Sequence, residues 1–171
     1  MPTTTTPMTE LSKYLETFER EYQSTLRVFK AYPADKATFK PTERNTPANQ
    51  VAWTLVMSQH VVMPILTEAA LTPPKDLPPA PADWKALVAA FEQTHAGVMA
   101  KLKALDNATY NSTIVMMVGP GGATASMRRA DVLWMMLYDT IHHRGQFSVY
   151  LRASGAKVPS IYGPSGDEPW S

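Results

Sequence analysis

The 171-residue sequence contains no cysteine, which excludes disulfides, cysteine-ligated zinc sites and catalysis by a thiolate of the protein. It also lacks an excess of charge of either sign, because 16 Lys and Arg stand against 15 Asp and Glu. Without a basic surplus or a Lys/Arg run to neutralise phosphates, we expect no nucleic-acid partner. A metal held by side chains would need His, Asp or Glu ligands.

Long apolar segments are also missing. No run approaches the roughly 20 residues that span a bilayer. The N-terminal sequence MPTTTTPMTE lacks the basic start and apolar stretch of a signal peptide. We therefore expect a cytoplasmic protein with no membrane partner. The content of 44% hydrophobic and 18% charged residues is typical of a globular protein, and the length suits one domain over residues 1–171.

Four segments have the three- and four-residue apolar spacing of helices that bury one or more faces. Thr46 and Ser126 are the predicted N-caps of the second and fourth helices, and Pro64 predicts a kink in the second. Four helices with little else predict an all-α four-helix bundle. The predicted helices cover residues 9–32, 47–71, 83–105 and 127–153.

The segments between these helices have compositions that disfavour regular structure. Five prolines in Thr72 to Pro81 predict an extended linker. Residues 106–125 are predicted to be an irregular inter-helix loop, although 112–118 is β-like in composition and a glycine cluster follows. Prolines and glycines make Val158 to Ser171 an irregular C-terminal tail, and its aromatic residues indicate that it packs on the bundle.

The last predicted helix carries a group of polar residues on one face. Residues three and four apart on a helix lie one above the other, which aligns Asp139, His143, Gln146 and Tyr150. A carboxylate and an imidazole four residues apart can bind one cation together. His142 points roughly 60° away from Asp139 around the helix and is the weaker candidate.

The second helix offers a further ligand, His60, in the middle of its apolar run. Two histidines and one carboxylate with open coordination positions suit zinc, nickel or ferrous iron. For His60 taken alone, a structural role is favoured over metal binding, because a histidine in a core is usually only hydrogen-bonded. A structural role is favoured for His95 as well, and Asp139 has the alternative of pairing with Arg144 or another cation. Gly145, costly inside a helix, predicts the close approach of a neighbouring helix or chain.

The motif of the last helix resembles that of the DinB-like family, which includes the DinB/YfiT-like metalloenzymes. The resemblance extends over essentially the whole chain, with His60 in the expected place on the second helix. The motif consists of Ile141-His142-His143-Arg144-Gly145-Gln146, then Tyr150-Leu151-Arg152 and Gly155, and then Val158-Pro159 and Tyr162-Gly163-Pro164-Ser165.

The resemblance implies a bundle with an up-down-down-up path, a homodimer, and a divalent metal between the second and fourth helices, with zinc or nickel ahead of iron. The family's ligands are one histidine from the second helix and two histidines four apart on the fourth. Here these positions hold His60, Asp139 and His143. The aspartate departs from the pattern and leaves three alternatives: Asp139 is itself a ligand, His142 replaces it, or the metal binds weakly.

The resemblance also implies a metal-dependent transferase or hydrolase that acts on a small molecule. Some relatives are S-transferases that use a low-molecular-weight thiol, which is consistent with the absence of cysteine. Gln146, His142 and Tyr150 would then support the ligands or contact the substrate, and no catalytic residue is assigned. The alternative is a non-enzymatic stress-response or ligand-binding helical dimer in which the metal site is structural or vestigial.

Overall fold

The computed structural model describes residues 8–72 and 77–169 and is mostly helical. Four long helices account for most of the described chain, and they lie close to the predicted segments. They are α1 (Glu10–Ala31), α2 (Ala48–Thr67), α3 (Trp84–Ala104) and α5 (Arg129–Ala153), with a one-turn helix α4 (Asn107–Tyr110) between the last two. Short 3-10 turns occupy Ala34–Lys36 and Pro120–Gly122. Within the described part of the chain, no helix combines the length and the apolar character needed to cross a bilayer.

Side-chain caps fix the beginnings of α1, α3 and α4. The oxygens of Thr9, Asp83 and Asp106 each accept a hydrogen bond from a backbone N–H of the first turn that would otherwise have no partner. The predicted Thr46 cap of α2 is wrong, because the N-cap is Pro47, which makes no side-chain hydrogen bond. The predicted Ser126 cap is also wrong, because α5 begins only after Arg128.

A small three-stranded sheet corrects the all-α prediction. Strand β1 (Ala70–Leu71) pairs in parallel with β2 (Thr113–Met117), which pairs antiparallel with β3 (Thr124–Arg128). The β2–β3 turn contains Gly121 and Gly122, whose φ angles of 72° and 79° favour glycine. The predicted irregular loop is therefore in large part a β-hairpin, and Ser126 lies in β3 opposite Val115.

The core lies between the four long helices, of which α1 and α2 each pack against α3 and α5. Two clusters of buried apolar side chains fill it, and both draw on all four helices. One is rich in aromatic residues and contains Phe29, Tyr32, Trp84, Phe91 and Phe147. The other includes Tyr14, Ile65, Leu102, Tyr110 and Leu133. Each fully buried large apolar side chain stabilises the fold by about 1.5–3 kcal/mol.

Helices α2 and α5 run in opposite directions, and contacts at their two ends fix which residues of α2 lie opposite which residues of α5. Near the end of α5, the Tyr150 hydroxyl donates a hydrogen bond of 2.8 Å to the Thr46 carbonyl, just before α2. At the start of α5, the Arg129 guanidinium donates to the carbonyls of Ile65 and Glu68 at the end of α2. The up-down-down-up path of the whole bundle stays a prediction.

The tail packs on α1 and α5, as the sequence predicted. Salt bridges of 2.7 Å and 2.6 Å join Arg27 to Glu168 and Arg152 to Asp167. The backbone N–H of Val158 also donates to the Asp167 carboxylate. Trp170 and Ser171 of the predicted tail, and residues 73–76 of the predicted linker, lie outside the described residues.

Candidate functional site

The structure places Asp139 and His143 side by side on α5. The Asp139 Oδ1 and His143 Nε2 atoms are 3.5 Å apart, as expected for residues one helical turn apart. Their side chains are 44% and 26% exposed, so a small molecule or ion can reach both from solvent. This confirms that the two residues share a face of the helix.

Gln146 connects His143 to His142 through its side-chain amide. Its Oε1 lies 2.9 Å from His143 Nδ1, and its Nε2 lies 2.9 Å from His142 Nε2. A neutral His143 that donates its Nδ1–H to the amide oxygen keeps the Nε2 lone pair free. That lone pair then faces the Asp139 carboxylate. Histidines that ligate metals usually have the other ring N–H fixed by a hydrogen bond in this way.

In the tautomer with an unprotonated Nε2, the distance between His143 Nε2 and Asp139 Oδ1 fits a shared divalent cation. Nitrogen and oxygen ligands lie about 2.0–2.2 Å from zinc, and a tetrahedral angle then separates two of them by about 3.4 Å. The observed separation of Asp139 Oδ1 and His143 Nε2 is 3.5 Å. These two residues therefore fit as two ligands of one metal ion.

His60 lies elsewhere, in a groove between α2 and α3. Its side chain is exposed, and its Nε2 atom is 3.3 Å from the Thr94 Oγ1 of α3. The groove has a volume of about 350 Å³ and is also lined by Met63, Ala90 and Gly97. The ring of His60 is thus turned toward α3 and not toward the Asp139–His143 pair.

The antiparallel register of α2 and α5 accounts for this separation. Since Thr46 is level with Tyr150 and Ile65 with Arg129, His143 is level with the α2 backbone near Trp53. At a rise of 1.5 Å per residue, His60 lies about 10 Å along the bundle from the level of His143 and about 6 Å from the level of Asp139. Residues 8–72 and 77–169 contain no group of three or more His, Asp or Glu placed to hold a metal ion. The structure unites two members of the predicted triad, and the triad itself stays a prediction.

The remaining predicted residues surround the pair. His142 is exposed, and its ring centroid lies 5.3 Å from that of His143. Tyr150 is buried, and its hydroxyl holds the loop before α2 through the Thr46 carbonyl. Tyr150 and Gln146 both line a cavity of about 410 Å³ between this loop, α2 and α5. Arg44 also lines the cavity.

Arg144, which follows His143, is buried and points away from the pair. Its side chain, 2% exposed, forms a 2.7 Å salt bridge with Glu21 of α1, which is also 2% exposed. The Tyr162 hydroxyl of the tail lies 2.5 Å from both Arg144 Nη2 and Glu21 Oε2. Asp139 therefore does not pair with Arg144, and its pairing with another cation stays an alternative.

The environment of Glu21 acts on its pKa in two directions. Burial raises the pKa, but the hydrogen bonds from Tyr162 and Arg144 outweigh burial and leave the pKa below its ordinary value. The carboxylate is thus held in its charged form. The sequence carried a signal for this pair: Arg144 lies seven residues from Leu137 and from Leu151, both buried, and so belongs to the inward face of α5.

His95 has the structural role that the sequence favoured. Its ring is buried and stacks on Tyr22 at a centroid distance of 3.5 Å, while its Nε2 lies 2.9 Å from a Glu19 carboxylate oxygen. Burial lowers the pKa of His95 below its ordinary value, although the contact with Glu19 acts in the opposite direction.

Gly145 of α5 faces open space. A Cβ atom built at this position would meet nothing within 4 Å. The predicted close approach of a neighbouring helix is therefore not found within the described residues, and the approach of another chain stays a prediction.

Several known proteins are similar to this chain over most of its length. YrdA of Bacillus subtilis strain 168 is 24% identical over 159 residues, which are 92% of this chain and 91% of YrdA. The DinB-like protein YjoA of Bacillus subtilis superposes with a TM-score of 0.70 at 18% identity, covering 87% of this chain and 96% of that one. Bacillus subtilis YfiT is described as a probable metal-dependent hydrolase with an unusual four-helix bundle topology. It superposes with a TM-score of 0.67 at 15% identity, covering 92% of this chain and 94% of YfiT.

The structural likenesses show a shared fold. A model of the DinB family, built from sequences, matches residues 1–170, which is nearly the entire chain. The motif from Ile141 to Gln146 lies within that match. The chain therefore belongs to the DinB family.

Proposed function

We propose that this protein is a divalent-metal-dependent hydrolase of small molecules, with Asp139 and His143 as its two protein ligands. The observation that supports it is the 3.5 Å separation of Asp139 Oδ1 and His143 Nε2, two acceptors with solvent access. The description of YfiT, a protein of the same fold, as a probable metal-dependent hydrolase points in the same direction. Zinc and nickel are the proposed metals, with iron as an alternative, since all three accept this ligand set.

A divalent cation held by Asp139 and His143 would supply a Lewis acid for the hydrolysis of a carbonyl substrate. The residues around it have separate tasks in this proposal. Gln146 holds His143 in the tautomer that directs the Nε2 lone pair outward. His142 is exposed next to Gln146 and can contact the substrate.

His60 has no part in this proposal, because its ring is directed at Thr94 and its backbone is offset along the bundle. With two protein ligands, the remaining coordination positions are left to solvent and substrate. Catalytic zinc sites usually have three protein ligands. We therefore expect weaker metal binding than a three-ligand site would give.

Thiol-dependent S-transfer at the same site is the second candidate. Two protein ligands leave positions for a substrate thiolate, and the chain has no cysteine to compete for them. The two candidates differ only in whether a low-molecular-weight thiol is a required co-substrate. One set of assays can therefore separate them.

The test is metal-dependent turnover. The protein is stripped with a chelator and reloaded with zinc, nickel or ferrous iron. It is then assayed on ester, amide and lactone panels, with and without a low-molecular-weight thiol such as cysteine. We expect hydrolysis that returns only with metal, is abolished by His143→Ala and falls about 10–100-fold in Gln146→Ala.

His60→Ala is the matched control, because it removes a histidine of the bundle that lies outside the proposed site. We expect it to retain activity. Turnover that requires the thiol would favour S-transfer over hydrolysis. The absence of metal-dependent turnover on every panel would refute the enzymatic proposal and favour the non-enzymatic ligand-binding alternative.

A further inference from the structure

The cavity next to Gln146 has the size of a small-molecule site. Its volume is about 410 Å³, within the range of about 300–1,000 Å³ that is usual for ligand pockets. Val51 of α2 and Val149 of α5 give it an apolar wall. Thr46, which also lines it, is fixed to α5 by the Tyr150 hydroxyl. The cavity is therefore bounded by α2, α5 and a loop segment held in place.

Arg44 is the charged residue that lines this cavity. In residues 8–72 and 77–169, no carboxylate lies within salt-bridge distance of its guanidinium. The adjacent acid, Glu43, contacts Lys40 instead, at 3.7 Å. A guanidinium has a planar set of donors that matches a carboxylate. Its charge is thus available to a ligand in the cavity.

Gln146 lies between the cavity and the proposed metal ligands. This side chain lines the cavity and also contacts His143 and His142, each at 2.9 Å. Val149 and Tyr150 lie one helical turn beyond Gln146, which is about 5.4 Å along α5. A molecule in this cavity can therefore contact Arg44 and also the Gln146 side chain that holds His143.

We propose that this cavity binds the carboxylate end of the substrate, with Arg44 as the anchor and the two valines against a short alkyl segment. The substrate class is thus a small carboxylate whose reacting group lies toward His143. A single cation and an apolar wall favour a monoanionic carboxylate over a phosphate dianion, which would need more donors. The assignment of this ligand as substrate rests on the proposed function, but its binding does not.

Binding is measured on the full-length, ¹⁵N-labelled protein by NMR titration with pentanoate and with pentanamide, its neutral isostere. A chelator is present throughout, so that the carboxylate cannot bind to a metal ion. We expect pentanoate to shift the Gln146 side-chain amide and the Arg44 Nε–H. Pentanamide should bind at least about tenfold more weakly, because it lacks the charge-assisted hydrogen bonds.

Two variants with the same change in net charge complete the test. Arg44→Gln should weaken pentanoate binding about tenfold, since it removes the charged donor. Lys101→Gln, on an exposed position of α3, should leave it unchanged. Equal binding of the two probes, equal effects of the two variants, or shifts scattered over surface cations without Gln146 would each overturn the proposal. If pentanoate binds at Arg44 but the protein has no metal-dependent turnover, the carboxylate site is supported and only the proposed hydrolase activity is refuted.

Discussion

Replacing Glu21 with glutamine should destabilise the protein strongly, because it leaves the buried Arg144 without a charged partner. Both side chains are 2% exposed and their salt bridge measures 2.7 Å. Removing one member of a buried ion pair typically costs about 3–5 kcal/mol, because the other charge stays in a poorly solvating environment. For a chain of this size, each kcal/mol lowers Tm by about 2–4 °C. We therefore expect a decrease in Tm of roughly 6–20 °C.

Tyr162→Phe tests how much of this stability depends on the tail. The Tyr162 residue is 65% exposed, but its hydroxyl reaches both Arg144 and Glu21. Loss of hydrogen bonds to charged groups costs about 1.5–3 kcal/mol when they are buried, and partial solvent access reduces that value. We expect about 1–2 kcal/mol for Tyr162→Phe, which is less than for Glu21→Gln.

The assay is urea unfolding followed by far-UV circular dichroism, with Glu16→Gln as the matched control. Glu16 is on the same helix and forms an exposed salt bridge of 3.2 Å with Lys13. Such surface pairs contribute about 0–1 kcal/mol. A free energy of unfolding that falls equally in Glu21→Gln and Glu16→Gln would refute the reasoning that the buried pair holds α1, α5 and the tail together.

Two further properties follow from single residues. Burial lowers the pKa of His95 from its ordinary 6.5, so the unfolded chain binds the proton at higher pH than the folded protein. The free energy of unfolding should therefore fall as pH decreases below about 6.5 toward the folded pKa. Urea midpoints between pH 7.5 and 5.5 measure this slope, which should be smaller in His95→Gln. Gly145→Ala should raise stability by about 0.5–1 kcal/mol, since its Cβ meets no atom within 4 Å. Gly155→Ala should lower it by about 1–2 kcal/mol, because φ is 82° there. Thermal unfolding of the two alanine variants tests both predictions, because Tm should rise in Gly145→Ala and fall in Gly155→Ala.

Local sequence patterns predicted the helices well because each helix is determined by its own periodicity and caps. The sheet was missed because its pairing is not local. Ala70 pairs with Val115, 45 positions away, and β1 is only two residues long. Residues 124–128 have no apolar alternation that separates them from the helix that follows, which is why Ser126 was predicted to be a cap. The homodimer and the cytoplasmic location stay predictions.

The part of the site that lies on one helix could be predicted from local spacing, and the three-ligand site that also needs α2 stays a prediction. The Asp139–His143 pair follows from a spacing of four residues on α5. The position of His60 depends on the register and rotation of α2 against its neighbours, which its own sequence does not encode. The buried Glu21–Arg144 pair joins residues 123 positions apart. Arg144 lies seven residues from both Leu137 and Leu151 on the buried face of α5, and this spacing would have indicated a buried arginine in need of a partner.

The most direct test of the account is the zinc bound at equilibrium by protein without a His tag, measured by mass spectrometry after dialysis against buffer that contains zinc. Wild-type protein and the variants His143→Ala, Asp139→Ala and His60→Ala are compared. We predict about one zinc per chain in the wild type and in His60→Ala, and its loss in the other two, because two ligands on α5 hold the metal. Loss of zinc in His60→Ala as complete as in His143→Ala would contradict the two-ligand site. Absence of bound metal from the wild type, with zinc or nickel supplied, would contradict the metal site altogether.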